Sequence, residues 1–148
     1  LADPRNADIQ GLMNRKIKKR ELFRPFAPSV KEEQAGEYFH LTQPSPYMNI
    51  VANVKQNMWN VIPAVTHVDK TARVHTVSRD SNPRYWGLIN EFEKITGVAV
   101  LLNTSFNIQE PIVNTPAEAI RTFCISDIDV LVLNDFLFDA AWRARNRA

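Results

Sequence analysis

The chain has 148 residues, enough for one domain of ordinary size with a real core. Hydrophobic residues make up 45% and charged residues 23%, which excludes an intrinsically disordered chain, and no apolar run reaches the span of about 18 residues that a membrane helix needs. The net charge of +2 conceals an asymmetry. Residues 1–30 hold seven basic and three acidic side chains, residues 31–139 hold eight and thirteen, and residues 140–148 add Arg143, Arg145 and Arg147. A basic start on an acidic body suits a surface that meets an anion, and it equally suits a solvated helix face. Leu1 stands where Met would begin a whole protein, so a piece of a longer polypeptide is expected. The start carries no secretory leader, and a single cysteine, Cys124, makes no internal disulfide; both fit a cytoplasmic protein.

Asp3-Pro4 reads as a helix cap with proline at the first helical position, and Ile9, Leu12, Met13 and Ile17 recur at helical spacing to about Ile17. Pro25 and Pro28 make the next stretch extended. Ser29-Val30-Lys31-Glu32 matches a capping box and predicts a second helix over 30–39. After a loop at Pro44 and Pro46, residues 47–54 alternate as a strand; 55–61 read as a loop, and 62–68 and 71–77 as two more strands.

Asn82-Pro83 opens the clearest helix, with Tyr85, Leu88, Ile89, Phe92 and Ile95 as its apolar stripe and Gly97 as its stop. Residues 98–102 are continuously apolar, as in a strand buried on both faces. Thr115-Pro116-Ala117-Glu118 caps another helix, and 128–133 reads as a second buried strand. Strand, helix, strand, helix, strand is an α/β order with at least some parallel pairing.

Three polar clusters carry candidate chemistry. Lys18-Lys19-Arg20 with Arg24 puts four cations within seven residues. They repel one another, and an anion among them relieves that; a basic helix end complementing the helix dipole produces the same pattern. Asn103-Thr104-Ser105-Phe106-Asn107 follows the apolar run 98–102, where ligands gather beyond strand ends in α/β sheets and where turns also form. Arg73 shares a strand face with Thr71 and His75, and an arginine within a sheet calls for a carboxylate or an anion. Three histidines and one cysteine give no metal-ligand spacing, and Cys124 sits on an apolar helix face as packing.

Leu1-Ala2-Asp3-Pro4-Arg5, Arg20 to Ser29, Thr71-Ala72-Arg73-Val74, Asn82-Pro83-Arg84-Tyr85, Asn103 to Asn107 and Glu110-Pro111-Ile112-Val113 follow one another in an order that is specific only when taken together. They resemble the C-terminal domain of the O-carbamoyltransferases of the nodulation, cephamycin and tobramycin type. The resemblance covers residues 1–138 and leaves 139–148 as a basic C-terminal tail. It implies an α/β (α+β) domain similar to threonylcarbamoyl-adenylate synthase, a twisted mixed sheet flanked by helices.

It further implies a domain that binds carbamoyl phosphate and ATP, with Mg²⁺ on the ATP phosphates, and forms carbamoyl adenylate. A separate N-terminal domain of the same polypeptide, which holds its own metal, would pass the carbamoyl group to an acceptor hydroxyl. The synthase relatives carry Lys-x-Arg and Ser-x-Asn signatures, matched here by Lys18-Lys19-Arg20 and Ser105-Phe106-Asn107. The resemblance assigns Lys18, Arg24 and Arg73 to catalysis, and Arg20, Asn103, Thr104, Ser105 and Asn107 to substrate binding. Two departures stand out. The family's upstream Gly-Pro-Arg-Ala-Leu-Gly segment precedes the first residue here, and Ile108-Gln109-Glu110-Pro111 lacks the glycine of the usual Gly-Glu-Pro and is one residue shorter.

The alternative reading is a non-catalytic interaction or regulatory domain, motivated by that altered loop. Nucleic-acid binding would use the basic run from Arg15 to Arg20, but no nucleic-acid motif accompanies it on this acidic body.

Overall fold

The computed structural model describes residues 1–146, whose contacts gather into two compact units, one of residues 1–10 and 25–104 and one of residues 11–24 and 105–146. The expected mixed α/β class holds, with parallel and antiparallel pairs in one sheet. Among the described residues no helix is long and apolar enough to cross a membrane.

Among the described residues, the sheet of the first unit has four strands: β1 (Ala27–Lys31), β2 (Ile50–Asn53), β3 (Thr71–Val77) and β4 (Val100–Asn103), in the order β2-β3-β1-β4. β1 runs parallel to β3, with Ser29 opposite His75, and antiparallel to β4, with Ala27 opposite Asn103. β2 pairs antiparallel with β3, placing Val51 opposite Arg73. The period of two in β3 buries Ala72, Val74 and Thr76 and leaves Arg73 exposed. β4 is buried as expected of an apolar run, and the Ala2 backbone closes its outer edge through bonds of 3.0 and 2.9 Å to Leu102.

That pairing explains the first departure from the sequence reading. Residue 2 is still part of the sheet, and Asp3 clasps the Arg5 guanidinium instead of capping a helix. Helix α1 (Ile9–Leu12) therefore starts late. The capping-box match at Ser29 fails for a similar reason. Ser29 is in the central strand, its hydroxyl 2.9 Å from His75 Nδ1, and two ladders outweigh a four-residue local signal. The helical part moves on to a short 3₁₀ turn at Glu32–Gln34 and to α2 (Ala35–Tyr38).

Residues 62–68 form no strand. Pro63 has no N–H for a ladder, and Pro63–Val65 turns as a 3₁₀ helix that leaves Val68 exposed. Helix α3 (Pro83–Thr96) keeps its predicted ends. The Asn82 carboxamide accepts from Tyr85 N–H, and Gly97 takes φ 75°, the left-handed turn that glycine allows. Its stripe is narrower than expected, because Ile89 is buried while Leu88 and Ile95 face outward.

The second unit joins residues 11–24 to α4 (Pro116–Ile125), β5 (Leu131–Leu133), β6 (Phe136–Phe138) and α5 (Ala140–Asn146). Thr115 and Glu118 form the predicted reciprocal capping box of α4. Ala119, Phe123 and Leu131 are its buried centre, with Phe106, Ile128, Phe138 and Trp142 packed against them. Residues 128–133 are not a doubly buried strand. Among the described residues β5 pairs only with β6, across the Asn134-Asp135 turn, and Val130 and Val132 are exposed. Residues 139–148, read as a basic tail, carry α5: Trp142 meets Phe138 edge-on at 4.7 Å, and Arg143 donates to the Ser126 and Ile128 carbonyls at 2.9 and 2.6 Å. Arg147 lies outside the described residues.

Candidate functional site

Asn14 and Lys18 are four residues apart in a helical stretch, so they share a face. The stretch continues from α1 as a π-helical segment, Met13–Lys18, and stops at Lys19, whose φ of 47° is left-handed. Both shared-face residues are buried, Lys18 at 3% exposure and Asn14 at 0%. A buried ammonium must be hydrogen-bonded, and this one is. Lys18 Nζ donates to the Ser105 carbonyl at 2.6 Å and hydroxyl at 3.2 Å, and to the Asn107 backbone and side-chain oxygens, both at 2.8 Å. Four acceptors compete for three N–H bonds, so the Ser-x-Asn loop holds its lysine as a saturated donor. Burial, then the charge of Arg20, pushes the ammonium down to about 8, with Glu110 opposing.

The loop has its own brace. Ser105 Oγ donates to Asn107 Oδ1 at 2.7 Å, and Asn107 Nδ2 donates to the Glu110 carbonyl at 2.7 Å. Glu110 accepts from the Ile108 and Gln109 N–H groups at 3.2 and 3.0 Å and from Thr122 Oγ1 of α4 at 2.9 Å. Hydrogen bonds from its own backbone N–H, from Thr122 and from these two N–H groups, against some burial, hold its carboxyl down at about 2. The loop that carries Ser105 and Asn107 is therefore anchored to α4 by the Glu110 carboxylate.

Beside this loop is a cavity of about 480 Å³ lined by Lys18, Lys19, Arg20, Arg24, Glu21 and residues 105 and 107–109. Four cations meet one carboxylate there, and Glu21 lies at the exposed rim, 3.8 Å from Arg24. Burial and the nearby Arg24 lower the pKa of Arg20, which stays charged like any arginine. Such a cavity attracts a small anion and supplies both charge and directed N–H donors.

The structure thus brings Lys18, Arg20, Arg24, Ser105 and Asn107 together in one unit. Arg73, Asn103 and Thr104 belong to the other. Arg73 is exposed on β3, so the burial that called for a partner within the sheet is absent. Asn103, at the end of β4, has its amide nitrogen 3.4 Å from His75 Nδ1 and 3.7 Å from Met48 Sδ. Thr104 is half-buried. Among the described residues no three of His, Cys, Asp and Glu gather as a metal site.

Asn14 and Glu110 escaped the sequence reading as working residues. The four-residue spacing to Lys18 was the signal available for Asn14; Glu110 acts through a turn whose shape no local pattern specifies.

Residues 1–140 match the family described as Carbamoyltransferase C-terminus. The chain is 52% identical over 141 residues to the nodulation protein NolO of Bradyrhizobium diazoefficiens, covering 93% of the chain and 26% of that protein. It is 48% identical over 158 residues to the uncharacterized protein sll1178 of Synechocystis sp., covering 93% and 26%. It is 52% identical over 141 residues to the nodulation protein NolNO of Sinorhizobium fredii, covering 93% and 21%. The chain spans about a quarter of the length of these relatives. Its sequence, over nearly all its length, makes it a member of the carbamoyltransferase C-terminal domain family.

Proposed function

We propose that this domain binds carbamoyl phosphate and ATP and forms carbamoyl adenylate, which an N-terminal domain of the same polypeptide uses to carbamoylate an acceptor hydroxyl. The observation that carries the reading is the cationic cavity built by Lys18, Arg20 and Arg24 against Ser105 and Asn107. Family membership supports carbamoyl transfer, and the greater length of the relatives supports a partner domain.

Carbamoyl phosphate is a small dianion at neutral pH. Lys18, Arg20 and Arg24 neutralise it, and the hydroxyl and amide of Ser105 and Asn107 hydrogen-bond its carbamoyl group. The resemblance alone gives Arg73 a catalytic role and Asn103 and Thr104 substrate-binding ones; all three belong to the other unit. Water cleaves the substrate into carbamate and inorganic phosphate. A carbamate oxygen then attacks the α-phosphorus of ATP, the bond from that phosphorus to the bridging oxygen breaks, and pyrophosphate leaves. Carbamate is short-lived in water, so a cationic pocket that retains it serves the reaction as well as binding. The protein's share is positioning and charge stabilisation, with no covalent nucleophile. Mg²⁺ on the ATP phosphates, which the resemblance implies, would add charge neutralisation at the leaving pyrophosphate.

The test is pyrophosphate release from ATP by the intact polypeptide, without an acceptor. Release that requires carbamoyl phosphate is expected. Release at the same rate without it, or none with both substrates present, contradicts the reading.

A further inference from the structure

The segment after Lys18 presents a physical problem. It carries Arg20 and Arg24 close to two lysines, and it has no ladder or helix to hold its shape. Backbone support comes from Arg20 N–H to the Asn14 carbonyl at 3.0 Å and a turn from Arg24 N–H to the Glu21 carbonyl at 3.2 Å. Like charges at this spacing push the segment apart.

One buried side chain opposes that. Asn14 Nδ2 donates to the Leu22 carbonyl at 3.1 Å and to the Arg24 carbonyl at 2.8 Å. Asn14 Oδ1 accepts from Arg20 Nε at 2.7 Å. Its backbone carbonyl also accepts from Lys19 N–H, at the left-handed turn. Both amide hydrogens and the amide oxygen are engaged, at 0% exposure.

We infer that Asn14 is a positioning residue of the anion site: its single carboxamide orients the Arg20 guanidinium and fixes the backbone that carries Arg24. This rests on the anion-site reading above. Asparagine suits the role because it donates twice and accepts once from a short, rigid stem. Aspartate has the same shape but no N–H. It would set a negative oxygen against the Leu22 and Arg24 carbonyls and cancel one of the cations. Alanine would leave two carbonyls and the Arg20 Nε without these partners. Asn14 is not among the residues that line the cavity; it acts through Arg20 and Arg24.

The experiment is calorimetric titration of the intact polypeptide with carbamoyl phosphate and with inorganic phosphate. Wild type, Asn14→Ala, Asn14→Asp, Arg24→Ala and the double variant Asn14→Ala/Arg24→Ala are compared, with circular dichroism on each. A loss of about tenfold or more in affinity is expected for folded Asn14→Ala, although every cation is still present. The loss from Asn14→Ala should shrink at least threefold in the Arg24→Ala background, because Asn14 then has one fewer cation to place. A merely structural role leaves the two effects additive, and additivity overturns the inference, as does wild-type affinity in Asn14→Ala. Should that variant not fold, Asn14→Asp keeps the volume; it is expected to bind at least tenfold more weakly, and wild-type affinity there overturns the inference. Failure of the wild type to bind either anion overturns the anion-site reading itself, and this inference with it.

Discussion

Replacing Lys18 with alanine is expected to weaken carbamoyl phosphate binding about 100-fold, the loss of one positive charge at the wall of a partly dry site. The effect has two sources. The ammonium supplies charge at the cavity wall, and it also ties Ser105 to Asn107 through four acceptors at 2.6 to 3.2 Å. Removing it takes this donor from the Ser105 and Asn107 carbonyls, at a cost to the fold of about 1–3 kcal/mol. Thermal unfolding and calorimetry on the same variant separate the two, and unchanged affinity excludes Lys18 from the site.

The same group sets a pH dependence with opposite signs for binding and folding. Its folded pKa, about 8, is below the ordinary 10.5. Between those values the unfolded chain holds the proton more tightly than the folded one. The stability contribution from Lys18 therefore rises with pH across this window and is lowest below it. Anion affinity moves the other way. It falls as pH climbs through about 8, because the neutral amine attracts no anion. Bound anion favours the ammonium, so proton uptake is expected on binding near that pH, seen as buffer-dependent binding heats. Heats independent of the buffer near pH 8 would remove Lys18 from that role.

Phe123→Ala is expected to be the most damaging change to the second unit. Phe123 is fully buried between Ala119 and Leu131, with Trp142 against its ring and the Arg143 guanidinium 5.1 Å from its centroid. Truncating such an aromatic costs about 3–5 kcal/mol in lost transfer energy and cavity formation. The buried centre of this unit is small, so there is little reserve. The loop carrying Ser105 and Asn107 hangs on α4 through Glu110 and Thr122, and it should loosen with the core. Hydrogen exchange should show lost protection in α4, β5, β6 and α5, together with weakened anion binding. Wild-type protection in α4 would refute the assigned role of Phe123.

What the amino-acid sequence makes legible follows from the range of each interaction. Asn82, Gly97 and the Thr115–Glu118 box act within one helical turn, and each appears where the pattern places it. β3 keeps its predicted span because its alternation agrees with its place beside β1. Ser29 to Glu32 misleads because the local cap competes with two strand partners distant in sequence. The 128–133 run misleads because apolar content does not reveal whether a strand has one neighbour or two. The site divides in the same way. Lys18, Arg20, Arg24, Ser105 and Asn107 are readable as chemistry, since clustered cations and a polar loop stand out. Asn14 and Glu110 are not, because each works by reaching carbonyls or N–H groups that only the folded turn presents.

The most direct measurement is calorimetric titration of the protein with carbamoyl phosphate, with inorganic phosphate and sulfate as controls. Saturable binding that prefers carbamoyl phosphate over both controls, and that Lys18→Ala abolishes or weakens by about 100-fold, is the predicted result. Equal affinity for all three anions would reduce the cavity to a general basic patch, and no binding of any of them would contradict the proposed site outright.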